Sequence, residues 1–415
     1  MRILYSLAIS IYALGVRCAA PFNEKAALMR KGWKRWAAKF PKERLGNAKT
    51  AWFHASSLGE FEQARPVMEQ FRRQHPEYKI VLTFFSPSGY EIRKDYDGAD
   101  IVCYLPPDTQ RNARRLMQLM HPDIAMFVKY DFWFNYLASL QRRGTPTYLF
   151  SSIFRHSQYF FKWYGSWFAK QLQCYRHIFV QNDESIKLLR SICVSRCSIA
   201  GDTRFDRVNQ IAQQAKSFDA VQRFAGTLPV LMAGSSWEPD EANIKHFVDS
   251  YNKSLKVILA PHVISQSHLE HIERLFTPQC CVRYSQLAAP DADTALAQRQ
   301  VLIIDNIGML SSLYRYATVA YIGGGFGKGI HNTLEAAIYG CPVCFGPNYL
   351  KFQEARELID CGGAMSYDNA DALIAILDAW LDNPQQYAKA AQACNSYMQS
   401  HLGATETILQ TIERR

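Results

Sequence analysis

The sequence contains no long hydrophobic run. Its most apolar stretch, Ile3 to Val16 (ILYSLAISIYALGV), has fourteen residues, short of the ~20 that cross a bilayer as a helix, so a spanning segment is not expected. Paired metal-ligand spacing is missing as well. Among 11 cysteines, Cys280 and Cys281 are adjacent, while Cys193/Cys197 and Cys341/Cys344 lack a second pair at finger-like distance, which argues against a zinc site. An odd number of scattered thiols fits a reducing compartment in which most act as small buried hydrophobes. No Gly-Lys-Ser/Thr occurs, so there is no Walker loop. Neither a short-period repeat nor a basic-aromatic nucleic-acid module is present, and nucleic acid is not expected as a partner. Charged residues are scarce at 20%, beside 48% apolar and 13% aromatic residues. Wholesale disorder is thereby excluded, because there is ample apolar surface to bury. A chain of 415 residues divides most simply into two compact domains.

The charge that is present is uneven. Lys+Arg 47 against Asp+Glu 37 leaves a formal +10, suited to phosphates, anionic lipid or nucleic acid. Between residues 17 and 44, nine basic residues (Arg17, Lys25, Arg30, Lys31, Lys34, Arg35, Lys39, Lys42 and Arg44) are opposed only by Glu24 and Glu43. Trp33, Trp36 and Phe40 interleave with them, which is the composition of an amphipathic segment lying against anionic lipid. Residues 1–45 are read as a retained membrane-surface segment. Cys18-Ala19-Ala20 leaves a signal peptide open, and a core helix followed by a solvated basic helix is the plain alternative.

From residue 50 onward short β-rich runs alternate with helical stretches. Thr50–Phe53, Ile80–Phe84, Ile101–Tyr104, Ile124–Val128, Thr147–Phe150 and His177–Val180 read as buried strands. The same grammar restarts with Val230–Ala233, Val257–Ala260, Val301–Ile304, Val319–Ile322 and Pro342–Phe345. Strands joined by crossover helices imply parallel sheets covered on both faces. The fold expected is α/β, with two doubly wound Rossmann-like domains, 46–204 and 205–415, facing each other across a cleft. The helices of roughly 370–415 are expected to close the second domain.

Two segments carry chemistry. His54-Ala-Ser-Ser-Leu-Gly-Glu60 follows a strand and opens a helix, the position where open α/β sheets bind ligands. Glu60 there is either a helix-dipole partner or a carboxylate at the cleft. Gly323-Gly-Gly-Phe-Gly-Lys-Gly329 follows the strand Val319–Ile322 and precedes a helix expected near Asn332. Glycines allow close backbone approach to a phosphate, and the next helix offers free amides. In Asn332-Thr-Leu-Glu335, Glu335 sits in a first helical turn, where it can accept hydrogen bonds from ribose hydroxyls. A structural Gly-rich turn with a capped helix is the bland reading of the same residues.

Glu335 with its downstream Ala, Gly and Pro-Val resembles the nucleotide-sugar signature of GT-B glycosyltransferases. HASSLGE resembles the motif of the Kdo transferases, which move 3-deoxy-D-manno-octulosonate (Kdo) from CMP-Kdo to a lipid A precursor. Further matches run in family order over about residues 50–355: Tyr104-Leu105-Pro106 with Asp108, Trp133 and Asn135 in KYDFWFN, GDTRFD at 201–206, GSS at 234–236, GGG and HNTLEAA. Two departures stand out. The family's Glu-Thr-Glu is Lys129-Tyr130-Asp131 here, and its Pro-Arg-His is Pro261-His262-Val263, so the usual arginine contact to the donor is absent.

The resemblance implies an inverting transferase on the cytoplasmic face of the inner membrane, acting in lipopolysaccharide core synthesis. CMP-Kdo is expected on the C-terminal domain, held by Ser235, His262, Gly323, Gly324, Gly325, Lys328, Asn332 and Glu335. The lipid acceptor is expected on the N-terminal domain, near Ser57, Gly59, Lys129 and Arg155. Glu60 is implied as general base, with Asp131 as the second acid. Loop amides and basic side chains can meet the phosphate charge, so no metal or other cofactor is called for. The alternatives are a GT-B transferase or epimerase using a UDP-sugar, and a non-catalytic lipid-surface protein on the same fold.

Overall fold

β-branched and aromatic runs bounded by Gly, Asn and Ser form two seven-stranded sheets, and every strand pair is parallel. The computed structural model describes residues 1–40, 48–288 and 299–414. Lys42, Glu43, Arg44 and the expected boundary at 45/46 lie outside the described residues. The chain divides into two units, Met1–Arg207 with Leu402–Arg415, and Val208–His401.

Unit 1 begins with two helices, α1 (Arg2–Ala19) and α2 (Glu24–Arg35), the second capped by Asn23 accepting from the Ala26 amide. Its sheet has the order β3-β2-β1-β4-β5-β6-β7. The strands are β1 (Lys49–Ala55), β2 (Tyr78–Phe84), β3 (Ile101–Tyr104), β4 (Ile124–Val128), β5 (Thr147–Ser152), β6 (His177–Val180) and β7 (Cys197–Ile199). Central β1 pairs β2 on one side and β4 on the other, with Trp52 opposite Val81 and Ala125. Helices α3 (Leu58–Gln74), α4 (Pro87–Arg93) and α5 (Phe134–Arg143) follow β1, β2 and β4. Strand side chains fill apolar cores on both sheet faces, as a buried parallel sheet requires: Trp52, Phe127 and Leu149 on one, Phe53, Met126 and Phe150 on the other.

Unit 2 repeats the plan in the order β10-β11-β9-β8-β12-β13-β14. Its strands are β8 (Val230–Ser236), β9 (Lys256–Pro261), β10 (Cys281–Arg283), β11 (Val301–Ile303), β12 (Val319–Ile322), β13 (Val343–Phe345) and β14 (Ala364–Ser366), and helix α6 (Glu238–Ser250) follows β8.

Two expectations need correction. Helix α1 has 18 residues rather than fourteen. It is the one helix among the described residues long and apolar enough to cross a membrane by length and composition, with mean hydropathy 1.3. It is also fastened to unit 1: Tyr5 Oη donates to Asp108 at 2.7 Å and Arg2 Nε to Asn135 at 3.2 Å. The second correction concerns the C-terminus. Helix α7 (Ala404–Glu413) belongs to unit 1, not to the second domain. Asp206, the last residue of GDTRFD, accepts from the Gly403 amide at 2.7 Å and the Thr405 amide at 2.6 Å. Ile408 and Leu409 then bury beside Phe53 and Phe61.

Candidate active site

In unit 1 the site is built at the carboxyl end of β1, where ligands bind in open α/β sheets. The strand ends at Ala55, Ser57 occupies the N-cap of α3, and Glu60 lies in its first turn. The Ser57 hydroxyl donates to Glu60 Oε2, fixing the carboxylate against the helix start. Gly59 is exposed one residue before it. Beneath lies His54, fully buried, with Nδ1 2.8 Å from Thr83 Oγ1 and 3.0 Å from the Thr83 carbonyl. A carbonyl only accepts, so Nδ1 carries the proton. Burial pushes His54 down to about 3.

Asp131, buried and just beyond β4, accepts from the Ser56 hydroxyl. Its carboxyl is held well above the usual range, first by burial and further by the charge of Glu60. The 3.7 Å approach of His54 Nε2 to Asp131 Oδ1 is therefore a contact between neutral groups, not an ion pair. The structure brings Glu60, Ser57 and Asp131 together around Ser56.

Lys129 and Arg155 form a second group, joined through Tyr130. Both cations lie over the Tyr130 ring, at 5.8 and 6.0 Å, and Arg155 Nη1 donates to its hydroxyl at 3.1 Å. Lys129 has φ +60, a left-handed backbone that is unfavourable for a lysine and that clusters at functional sites.

In unit 2 the Gly-rich loop follows β12. Gly324 adopts φ +91, and a Cβ on Gly323 or Gly325 would lie 2.2 Å from Ser235 O or 2.6 Å from Gly346. Those two glycines are thus required for packing of the loop backbone on its neighbours. Ser235 itself has φ +55. Asn332, just before the next helix, accepts from Leu334 N at 3.1 Å and donates to Glu335 Oε1 at 2.9 Å. The helix expected near Asn332 is a single turn, Leu334–Ala337, too short to align enough peptides for a useful dipole at an anion site. Lys328 is exposed at the loop tip.

Sequence reasoning named His262 here but missed Trp237, His331, Lys351 and Asp240. Trp237, His262 and His331 form a ring pile, with centroids 4.6 Å apart for Trp237 and His262 and 4.5 Å for His262 and His331. Burial, then the neighbouring His262, lowers the His331 pKa. Lys351 Nζ donates to the Lys328 carbonyl, adding a second cation at the loop. Buried Asp240 anchors the loop: Oδ2 accepts from Gly324 N at 2.9 Å and Trp237 N at 3.0 Å, and Oδ1 from Tyr321 Oη at 2.7 Å. Its place three residues after Trp237 is a capping-box spacing, the one signal that can reveal it from sequence. Among the described residues no group of three or more His, Cys, Asp or Glu is placed to hold a metal ion.

A family profile described as "3-Deoxy-D-manno-octulosonic-acid transferase (kdotransferase)" matches residues 33–207. The 3-deoxy-D-manno-octulosonic acid transferase of Aquifex aeolicus is 28% identical over 333 residues, 78% of this chain and 84% of that protein. The transferase of the same name from Chlamydophila psittaci is 23% identical over 389 residues, 89% of this chain and 86% of that protein. The chain is similar to Kdo transferases over most of its length. It is a glycosyltransferase, as those relatives are, and its two parallel sheets are the GT-B fold. Among solved structures, the UDP-GlcNAc 2-epimerase from Neisseria meningitidis bound to UDP-GlcNAc matches with TM-score 0.59 at 15% identity, over 88% of this chain and 100% of that one. At that identity the likeness shows the fold alone. The UDP-sugar alternative is not favoured, because the relatives that match in sequence over most of the chain are Kdo transferases.

Proposed function

We propose that this glycosyltransferase moves Kdo from CMP-Kdo to a lipid A precursor with inversion, using Glu60 as general base. The observation that carries the reading is the state of the two carboxyls in unit 1. Asp131 is the neutral partner, buried and hydrogen-bonded by Ser56. Glu60 is half-buried at the open end of β1, held by Ser57 and available to take a proton. A general base must reach the proton it removes, and the more exposed carboxylate is the one that can.

In this reading Glu60 takes the proton of an acceptor sugar hydroxyl as its oxygen bonds to the anomeric carbon of Kdo. The bond from that carbon to the CMP phosphate breaks, and the phosphate leaves with the electron pair. The growing negative charge is met in unit 2 by Lys328 at the tip of the Gly-rich loop and by the Gly325 amide, with His262 in the position of the family's arginine, while the amides of Gly323 and Gly324 hold the loop in place by donating to the Gly234 carbonyl and Asp240. Ser235, at the strained end of β8, and Asn332 contribute polar contacts to the same donor. Glu335 accepts from the ribose hydroxyls. Lys129 and Arg155, spread over Tyr130, hold the acceptor beside Ser57 and Gly59, and no metal is assigned to any step.

The membrane surface is the proposed source of the acceptor, on the cytoplasmic face of the inner membrane. One face of α1 supports this, with Ile3, Leu7, Ile11 and Leu14 more than half exposed. Ring contacts run inward from it: Tyr12 to Phe85 at 6.1 Å, Phe85 to Trp133 at 4.6 Å, and Trp133 to His54 at 5.9 Å. Helix α1 is thus linked within one unit to His54, at the end of the strand that leads to the proposed base. Nucleotide protection tests the donor half. CMP should raise the thermal midpoint and UDP should not; protection by UDP alone would return the UDP-sugar reading.

A further inference from the structure

A cavity of about 250 Å³ opens in unit 1 between α2, α4 and β3. Its walls carry Lys31, Arg35, Lys39 and Lys94, and its floor includes Tyr104, whose ring lies 4.2 Å from that of Tyr90. Gly32 makes this approach possible, since a Cβ there would lie 2.1 Å from the Tyr104 ring. One carboxylate shares the cavity, Glu91, which accepts from Tyr104 Oη at 3.1 Å and pairs with Lys94 at 3.7 Å. Lys31, Arg35 and Lys39 have no ion-pair partner among the described residues. Four cations against one carboxylate around a small concavity favour an anion with several oxygens, and Arg and Lys together match phosphate.

None of these residues belongs to either half of the proposed active site. The volume falls below the roughly 300–1,000 Å³ of sites that enclose whole ligands, so a group of headgroup size fits and a nucleotide-sugar does not. The setting indicates what the group is attached to. Helix α1, packed against α2, exposes Ile3, Leu7, Ile11 and Leu14, a surface for acyl chains next to the basic cavity. We infer that the α2–β3 cavity is a binding site for the phosphomonoester headgroup of a membrane lipid. Two full negative charges on a monoester use the four cations better than the single charge of a diester. This inference does not rest on the transferase reading, and its test does not measure transfer.

The test is co-flotation of the full-length protein with vesicles of matched surface charge, one set containing phosphatidic acid and the other phosphatidylglycerol. The wild type should favour phosphatidic acid by tenfold or more. Lys31→Gln with Lys39→Gln should abolish that preference, whereas Lys25→Gln with Lys34→Gln, which removes two charges of α2 outside the cavity, should weaken binding to both lipids alike and keep it. An unchanged circular dichroism spectrum and thermal midpoint report intact folding of each variant. Equal binding to the two lipids, or equal loss of preference in both double variants, would show diffuse surface attraction and overturn the site. Binding of inorganic phosphate without vesicles, lost in the Lys31/Lys39 variant, would assign the cavity to a free anion and overturn the lipid assignment.

Discussion

Asp240 offers a prediction whose size follows from its contacts. In Asp240→Ala, three donors lose their acceptor in a region where Asp240 is 1% exposed: the amides of Gly324 and Trp237 and the Tyr321 hydroxyl. Tyr321 keeps a second partner in the Tyr367 hydroxyl, so the loss falls on the two amides. A buried donor left unpaired costs about 1–3 kcal/mol, in full for Gly324 and in part for the part-buried Trp237 amide, which makes the expected destabilisation on the order of 3 kcal/mol. For a unit of this size each kcal/mol moves the midpoint by roughly 2–4 °C, giving about 6–12 °C. Asp240→Asn keeps an oxygen for the amides while its NH2 donates to Tyr321, so its cost is under about 2 kcal/mol. Hydrogen exchange resolved by mass should show the segment around Gly324 exchanging faster in the alanine variant, and calorimetry should show weaker CMP binding. An alanine variant that melts within about 2 °C of wild type, with Gly324 still protected, would refute the anchoring argument.

Three further outcomes follow from the site geometry. Glu335→Ala should weaken CMP by about 1–3 kcal/mol through loss of an acceptor for ribose hydroxyls; unchanged affinity in calorimetry would remove the contact. Binding of an anionic phosphate favours protonated imidazole, and His331 is held below its ordinary pKa in the free protein, so CMP should bind more tightly as pH falls from 7.5 to 5.5 with net proton uptake, and a flat profile would exclude the histidines from the phosphate. Burial pushes the Asp108 carboxyl up to about 6, so its stabilising contribution is full below its unfolded pKa near 4 and is lost as pH rises through 6. Asp108→Asn should flatten the urea stability profile over that window; identical slopes for the two proteins would refute it.

Much of the fold was legible because buried parallel strands are continuous apolar runs, and each of the eleven runs expected from the sequence coincides with a strand. The strands that went unread are β7, β10 and β14, three residues each at a sheet edge, where a short half-exposed segment such as Cys281-Val-Arg283 has no recognisable period. The return of α7 to unit 1 was hidden because it depends on Asp206 meeting amides almost 200 residues away. At the candidate site, the motif residues Ser57, Glu60, Asn332 and Glu335 could be named from turns and spacing. Which residues meet could not be read: His54 and Asp131 become neighbours only when β1 pairs with β4, and Trp237, His262 and His331 come together from segments that follow three different strands. The Lys129 and His262 departures were visible as residue types, but their stacking on Tyr130 and Trp237 is purely tertiary.

The most direct test of the account is to incubate the full-length protein and its Glu60→Gln variant with CMP-Kdo and a lipid A precursor and to weigh the lipid product by mass spectrometry. The wild type should add one or more Kdo residues and release CMP, while Glu60→Gln, still binding CMP with normal affinity, should form product at least about 100-fold more slowly, as loss of a general base requires. Product formed by the variant at the wild-type rate, or no mass gain from CMP-Kdo by a wild type that binds CMP, would contradict it.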